Sequence, residues 1–243
     1  MYWGWSASSI ISIRFVAASD IHPLNAQLWR AVEAQHKVST MRLVDNDLAA
    51  QAILERMIDS VKPPFPVDTQ GLHWLLATPF RYRPGKRGSR FRAYDDPGVF
   101  YGALERHTAC AEAGYWRWRF ILDSEGLKQL EAHPMTLFQS KIATPGVDLR
   151  KAPFARLKKH WTDPADYTYT QDFARQARAK HIGAILYASV RDPAHGPAAA
   201  VLTPTAFAKG QVPKLETWYL TVNRSKVIWS HEMNETLVFA WQK

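Results

Sequence analysis

Cysteine is nearly absent, with Cys110 the single one in 243 residues. One thiol builds neither a disulfide framework nor a cysteine-rich zinc site, and such scarcity fits a reducing cytoplasm. Long apolar runs are missing too. None approaches the roughly 20 residues of a membrane-spanning helix, so no membrane partner is expected. The opening "MYWGWSASSIISIRFVAAS" lacks a basic start and is interrupted by Arg14, which reads as a cytoplasmic chain and not an exported one. Neither GxGxxG nor GxxxxGK[ST] occurs, so the glycine-rich phosphate loops are excluded. The nine histidines form no HExxH and no pair at helical spacing, and no metal is expected.

What is there is a large apolar fraction and an excess of positive charge. With 47% hydrophobic and 12% aromatic residues, the chain can bury a substantial core in one domain of α/β or α+β type. Its 31 Lys and Arg against 22 Asp and Glu leave a charge of +9, which suits an anionic partner: nucleic acid, nucleotide or acidic protein. The basic residues are scattered, with small clusters at "RYRPGKRGSRFR" (81–92) and "RLKKH" (156–160). No zinc finger or RNA-binding aromatic signature accompanies them, and the second cluster reads as a solvated surface.

Residues 19–37 read as a helix, capped by Ser19 or Asp20, with Pro23 in the first turn and Leu24, Leu28 and Val32 recurring every four residues. A second helix follows in "DNDLAAQAILERMIDSVKPP", capped by Asp45 or Asn46 and ended by Pro63 and Pro64. Together they suggest an N-terminal helical extension, 1–72, before a second part, 73–243. There "HWLLATPFRY", "GVFYGALE", "MTLFQSK" and "GAILYASVR" are short apolar runs expected as strands. Helices are expected in "RHTACAEAGYWRW" and in 167–181. Three terminal strands, "KLETWYLTV", "SKVIWS" and "ETLVFAW", suit an antiparallel sheet.

Arg90, Tyr101 and Glu112 lie eleven residues apart in turn. If Arg90 ends one strand and Tyr101 lies in the next, a hairpin joins them and the following helix returns Glu112 over the sheet. Each has a plain alternative: a surface arginine, a core or rim tyrosine, a glutamate on a solvated helix face. Glu112 is the hardest to dismiss. It sits among small and aromatic residues in "TACAEAGYW", where a buried carboxylate costs several kcal/mol unless paired.

"LLATPFRYRPGKRGSRFR", "GVFYGALERHTACAE" and "GAILYASVR" resemble the RES domain, named for its Arg, Glu and Ser, over roughly residues 72–205. The segment from "VEAQHKVSTMRLVDN" to "VKPPFP" is similar to the extension of the longer RES branch that includes the ParT toxins. The resemblance implies a toxin of a bacterial toxin–antitoxin pair with an α+β fold like ADP-ribosyltransferases: a split, mainly antiparallel sheet with flanking helices. It implies NAD as substrate. By position, Arg90 is the family arginine, Tyr101 the strand tyrosine, Glu112 the glutamate, Ser189 the serine, and Arg81 the earlier arginine of the first strand. Two departures stand out: Phe91 where the family often has Trp, and "DPAHGPAAAVL" without the Asn frequent after the serine motif.

On this reading Arg81 and Arg90 hold the pyrophosphate through charge-assisted hydrogen bonds, and Tyr101 positions nicotinamide or ribose. Glu112 takes ribose hydroxyls and faces the developing cation, while Ser189 contacts the nicotinamide amide or ribose. The ParT-like extension implies transfer of ADP-ribose to phosphoribosyl pyrophosphate synthetase; depletion of NAD by hydrolysis or phosphorolysis is the alternative. A small antitoxin with a helix-turn-helix region is the implied partner, its acidic stretch meeting the basic surface. A basic nucleic-acid-binding module accounts for the charge and the aromatics, but not for Glu112, whose carboxylate repels phosphate, so direct nucleic-acid binding is not expected.

Overall fold

The computed structural model describes residues 16–34, 44–45, 47–86, 88–232 and 235–242; the opening stretch that was read against export lies largely outside these. In chain order the elements are β1 (His22–Glu33), α1 (Leu48–Ser60), α2 (Trp74–Arg81), β2 (Phe100–Ala103), α3 (Arg106–Asp123) and β3 (Gln129–Asp148). They continue with α4 (Lys158–Trp161), α5 (Thr168–Ala179), β4 (Ala184–Ala188), β5 (Pro197–Val201), β6 (Lys214–Asn223), β7 (Val227–His231) and β8 (Glu235–Phe239).

Two expected elements are of the other kind. The helix expected over 19–37 is strand β1. Leu24, Leu28 and Val32 are four apart, and four is also a multiple of a strand's two-residue alternation, so the spacing serves either form. Long-range pairing decides it: β1 runs antiparallel to β3 from His22↔Gly146 to Glu33↔Met135. Leu24, Ala26 and Leu28 face inward, while Pro23, Asn25 and Gln27 are exposed. A strand that falls in the expected 1–72 extension is therefore hydrogen-bonded to one in the 73–243 part.

Conversely, "HWLLATPFRY" forms helix α2 and not a strand. His73 Nδ1 accepts from the Leu75 N–H at 3.3 Å to start it, and Leu75, Leu76 and Phe80 go into the core. Pro79 has no N–H for a central sheet ladder. The helix expected after Asp45 or Asn46 is α1, capped instead by Asp47, whose carboxylate accepts from Ala49 N at 2.8 Å and Ala50 N at 3.2 Å.

The sheet runs β1-β2-β5-β4-β3-β6-β7-β8, with β1 returning to pair with β3. One edge of β3 carries β1; the other carries β6 along its first half and β4 at Gly146–Asp148. The sheet splits between them, where Phe207 bridges to Ile142. β3–β4 is the one parallel pair among the described strands, so the fold is mixed α+β with a split, mainly antiparallel sheet.

Trp118 of α3, Trp218 of β6 and Trp229 of β7 are at most 2% exposed and seat α3 on the sheet. Burying a side chain of this size contributes about 2–3 kcal/mol. Arg106, in the first turn of α3, locks the register: it meets Glu235 at 2.8 Å and Glu216 at 3.0 Å, with its guanidinium over the Trp29 ring at 4.7 Å. Less than two turns along the same helix is Glu112.

Candidate active site

β1 meets β2 through a single pair, Trp29↔Ala103, and the sheet loosens beside it. Arg30 spans part of this gap by donating from Nη1 to the Tyr101 carbonyl at 2.7 Å, with its guanidinium over Phe100 at 4.8 Å. Burial lowers its pKa to about 10. Here a cavity of about 330 Å³ opens, lined by Arg30, Arg90, Tyr101, Glu112, Trp116, Tyr167 and Arg191 among others. The volume is that of a small-ligand site.

Glu112 faces the cavity from α3 and accepts a hydrogen bond from Ser189 Oγ at 2.5 Å. Burial raises its pKa above the ordinary glutamate value; the Ser189 hydroxyl and the Arg90 and Arg191 charges pull the other way, and Asp192 adds to the rise. The site thus holds a carboxylate that burial pushes toward its protonated form and that its neighbours only partly hold back.

Arg90 is 8% exposed, though in no strand: it lies in a turn closed by the Ser89↔Arg92 bridge, so the expected hairpin with Tyr101 does not form. Its Nη1 donates to the Trp161 carbonyl at 2.9 Å and its guanidinium lies 4.9 Å from the Tyr167 ring centre. Tyr101 brings the turn into place. Its hydroxyl accepts from the Phe91 N–H at 2.9 Å and shares a 2.8 Å hydrogen bond with Ser89 Oγ. Burial raises the pKa of this phenol and keeps it neutral. The ring of Tyr101 borders the cavity while its hydroxyl holds the loop that carries Arg90.

Ser189 follows β4 and is fully buried. Its hydroxyl donates to Glu112 and accepts from the Arg191 N–H at 3.2 Å and the Asp192 N–H at 2.9 Å. A hydroxyl has one proton and two lone pairs, so all of Ser189's capacity is used inside the protein. The expected contact with nicotinamide or ribose has no free group to make it; the serine stands behind Glu112 as a positioning residue. Asp192, 1% exposed, closes the same loop by accepting from Ala194 N at 2.9 Å, Gly196 N at 3.2 Å and the Thr108 hydroxyl at 2.8 Å.

Arg81 does not join the others. At the end of α2 it donates to the Pro63 carbonyl, approaches Asp59 at 3.4 Å and stacks 4.2 Å from the Phe65 ring centre. The cause is the change of element: as the last residue of a helix and not part of a strand, it turns toward α1 and away from the cavity.

Arg191 was missed in the sequence although it stands two residues after Ser189 in the quoted "LYASVR". It is 9% exposed, packs 4.4 Å from the Tyr115 ring centre, and donates from Nη2 to the Pro164 carbonyl at 2.7 Å and the Tyr167 hydroxyl at 3.1 Å. Neither Arg90 nor Arg191 forms an ion pair with a carboxylate among the described residues. Arg30 was hidden by the helix reading of its segment, and Tyr167 by its place at a helix start, where nothing in the pattern marks a pocket residue. No group of three His, Cys, Asp or Glu side chains is arranged for a metal among the described residues, and no described helix is long and apolar enough to cross a membrane.

The fold thus sets a buried glutamate, a serine behind it and two arginines around one cavity in a split, mainly antiparallel sheet. The chain belongs to the RES-domain family, whose model matches residues 63–223. It is similar to a solved structure, the M. tuberculosis MbcT–MbcA toxin–antitoxin complex, at 11% identity and a TM-score of 0.47 over 82% of this chain and 86% of that one. No curated protein matches the chain.

Proposed function

We propose that this protein is the toxin of a bacterial toxin–antitoxin pair, acting in the cytoplasm by cleaving the nicotinamide–ribose bond of NAD and transferring ADP-ribose to a protein. One observation carries the reading: Arg90, Arg191 and Glu112 border a single cavity, and neither guanidinium is in an ion pair with a carboxylate among the described residues. Buried cations without a carboxylate in contact favour an anionic ligand. A carboxylate beside them has no use to a phosphate but suits a cation formed during the reaction.

In this scheme the arginines hold the NAD pyrophosphate and the Tyr101 ring walls the nicotinamide side. The C–N bond to ribose breaks and its electron pair leaves with nicotinamide. Glu112 accepts hydrogen bonds from the ribose hydroxyls and faces the oxocarbenium-like carbon. A nucleophile from the acceptor then forms the new bond to that carbon and gives up its proton to solvent. Trp116 borders the cavity and is 56% exposed, so the mouth is open on the α3 side for an acceptor side chain. The likeness to the ParT branch favours phosphoribosyl pyrophosphate synthetase as acceptor, and a helix-turn-helix antitoxin covering the cleft as partner.

The test is incubation of the chain and its Glu112→Gln variant with labelled NAD, with and without purified phosphoribosyl pyrophosphate synthetase. Nicotinamide release and label on the synthetase, both reduced about 10²–10³-fold in the variant, are expected, as when one electrostatic stabiliser is lost. Release without label moves the activity to NAD depletion, and no release from the unaltered chain ends the enzyme reading.

A further inference from the structure

Two loops enter the cavity, and each is pinned by a buried hydroxyl. Tyr101 OH holds the 88–92 turn that carries Arg90, and Ser189 Oγ holds the turn that carries Arg191. Both guanidinium groups then lean on one short segment. Arg90 donates to the Trp161 carbonyl and Arg191 to the Pro164 carbonyl, and both meet Tyr167, one over its ring and one at its hydroxyl. The Arg191 backbone is fixed as well, its carbonyl accepting from Trp241 Nε1 at 2.7 Å. Much of the ordering cost of two long side chains has therefore been met before any ligand arrives.

The held donors differ in kind from a surface arginine's. Among the described residues the Arg90 side chain makes one hydrogen bond, leaving most of its planar fork for a ligand. Arg191 faces the same cavity from the other loop, its Nη2 spent on the Pro164 carbonyl and the Tyr167 hydroxyl and its Nη1 3.4 Å from the Tyr115 hydroxyl, so it brings a held positive charge and not an open fork, with no carboxylate ion pair among the described residues. A single monophosphate satisfies one such fork. The Arg90 fork and a second held cation set about one tyrosine suit two linked phosphates.

We infer that Arg191 is a specificity-determining residue: with Arg90 it forms a two-pronged site that selects a diphosphate-bridged ligand over a monophosphate. This deepens the proposed reading by assigning the second phosphate, for which the sequence offered Arg81, to Arg191. The inference rests on the NAD reading for its ligand class, but its test needs no turnover.

Calorimetric titration of the full chain and its Arg191→Gln variant, with ADP-ribose and with ribose 5-phosphate as probes, decides it. The unaltered chain binds ADP-ribose at least about tenfold more tightly than ribose 5-phosphate; equal affinities overturn the proposal without any variant being needed. Arg191→Gln removes the held charge while keeping a polar side chain, so ADP-ribose weakens about tenfold while ribose 5-phosphate stays within about threefold. Equal weakening of both probes gives Arg191 a purely structural role and overturns the proposal. An unchanged ratio does the same, even if NAD is turned over. The expected binding pattern without nicotinamide release upholds this site and overturns the reaction instead.

Discussion

Replacing Ser189 with alanine removes one oxygen and disturbs three partners. The Arg191 and Asp192 N–H groups lose their acceptor, and Glu112 loses its donor. A buried N–H without a partner costs about 1–3 kcal/mol, and a hydrogen bond to a charged group contributes about 1.5–3 kcal/mol. With two such N–H groups and one bond to Glu112 the summed loss is roughly 3.5–9 kcal/mol, a large part of a typical domain's 5–15 kcal/mol and far above the half kcal/mol of an ordinary surface change. Urea denaturation at pH 7 measures it as a lower midpoint with an unchanged slope.

The pH dependence sharpens the test. The folded pKa of Glu112 is raised above its usual 4.5 by burial, so the protonated form is the one folding favours. That contribution is present below the unfolded value and is lost as pH rises through the folded one. Ser189 opposes the rise, so Ser189→Ala pushes it further, and the variant's stability deficit is larger at pH 7 than near pH 4.5. In the same variant the acid limb of NAD turnover moves to higher pH. A stability loss below about 1 kcal/mol, with the acid limb unmoved, refutes the assignment of Ser189 as the hinge between Glu112 and the Arg191 loop.

Two further outcomes follow from the same geometry. Arg81→Ala loses a cation–π contact and its bond to Pro63, so stability falls by about 1 kcal/mol while KM for NAD stays within twofold; a tenfold rise in KM returns Arg81 to the ligand. Gly196→Ala places a methyl carbon 2.1 Å from the Thr108 hydroxyl and 2.7 Å from Asp192 Oδ2, so the loop shifts. About 1–3 kcal/mol of stability is lost with it, and an unchanged melting temperature contradicts the packing described.

The carboxylate of the candidate site was legible in the chain. Glu112 stood out because a carboxylate among small and aromatic neighbours needs a reason. The terminal strands were legible because alternation and turn residues agree over three successive segments. What the sequence hid follows from ambiguity in spacing. Leu24, Leu28 and Val32 fit a helix and a strand equally, and the choice rested on β3, more than a hundred residues away. That misreading concealed Arg30.

By itself the sequence determined the class of fold, the residue types at the site and the excess of positive charge, since these depend on composition and on neighbours close along the chain. Only the tertiary structure decided which arginine partners Arg90. Arg81 and Arg191 are alike as residues, but α2 carries one toward Phe65 while the Ser189 turn carries the other to Tyr167. The burial that shifts Glu112, and the spending of Ser189's hydroxyl on three internal bonds, likewise arise only when α3, β4 and the loops between them meet, because desolvation and hydrogen-bond saturation are properties of a packed site and not of a residue.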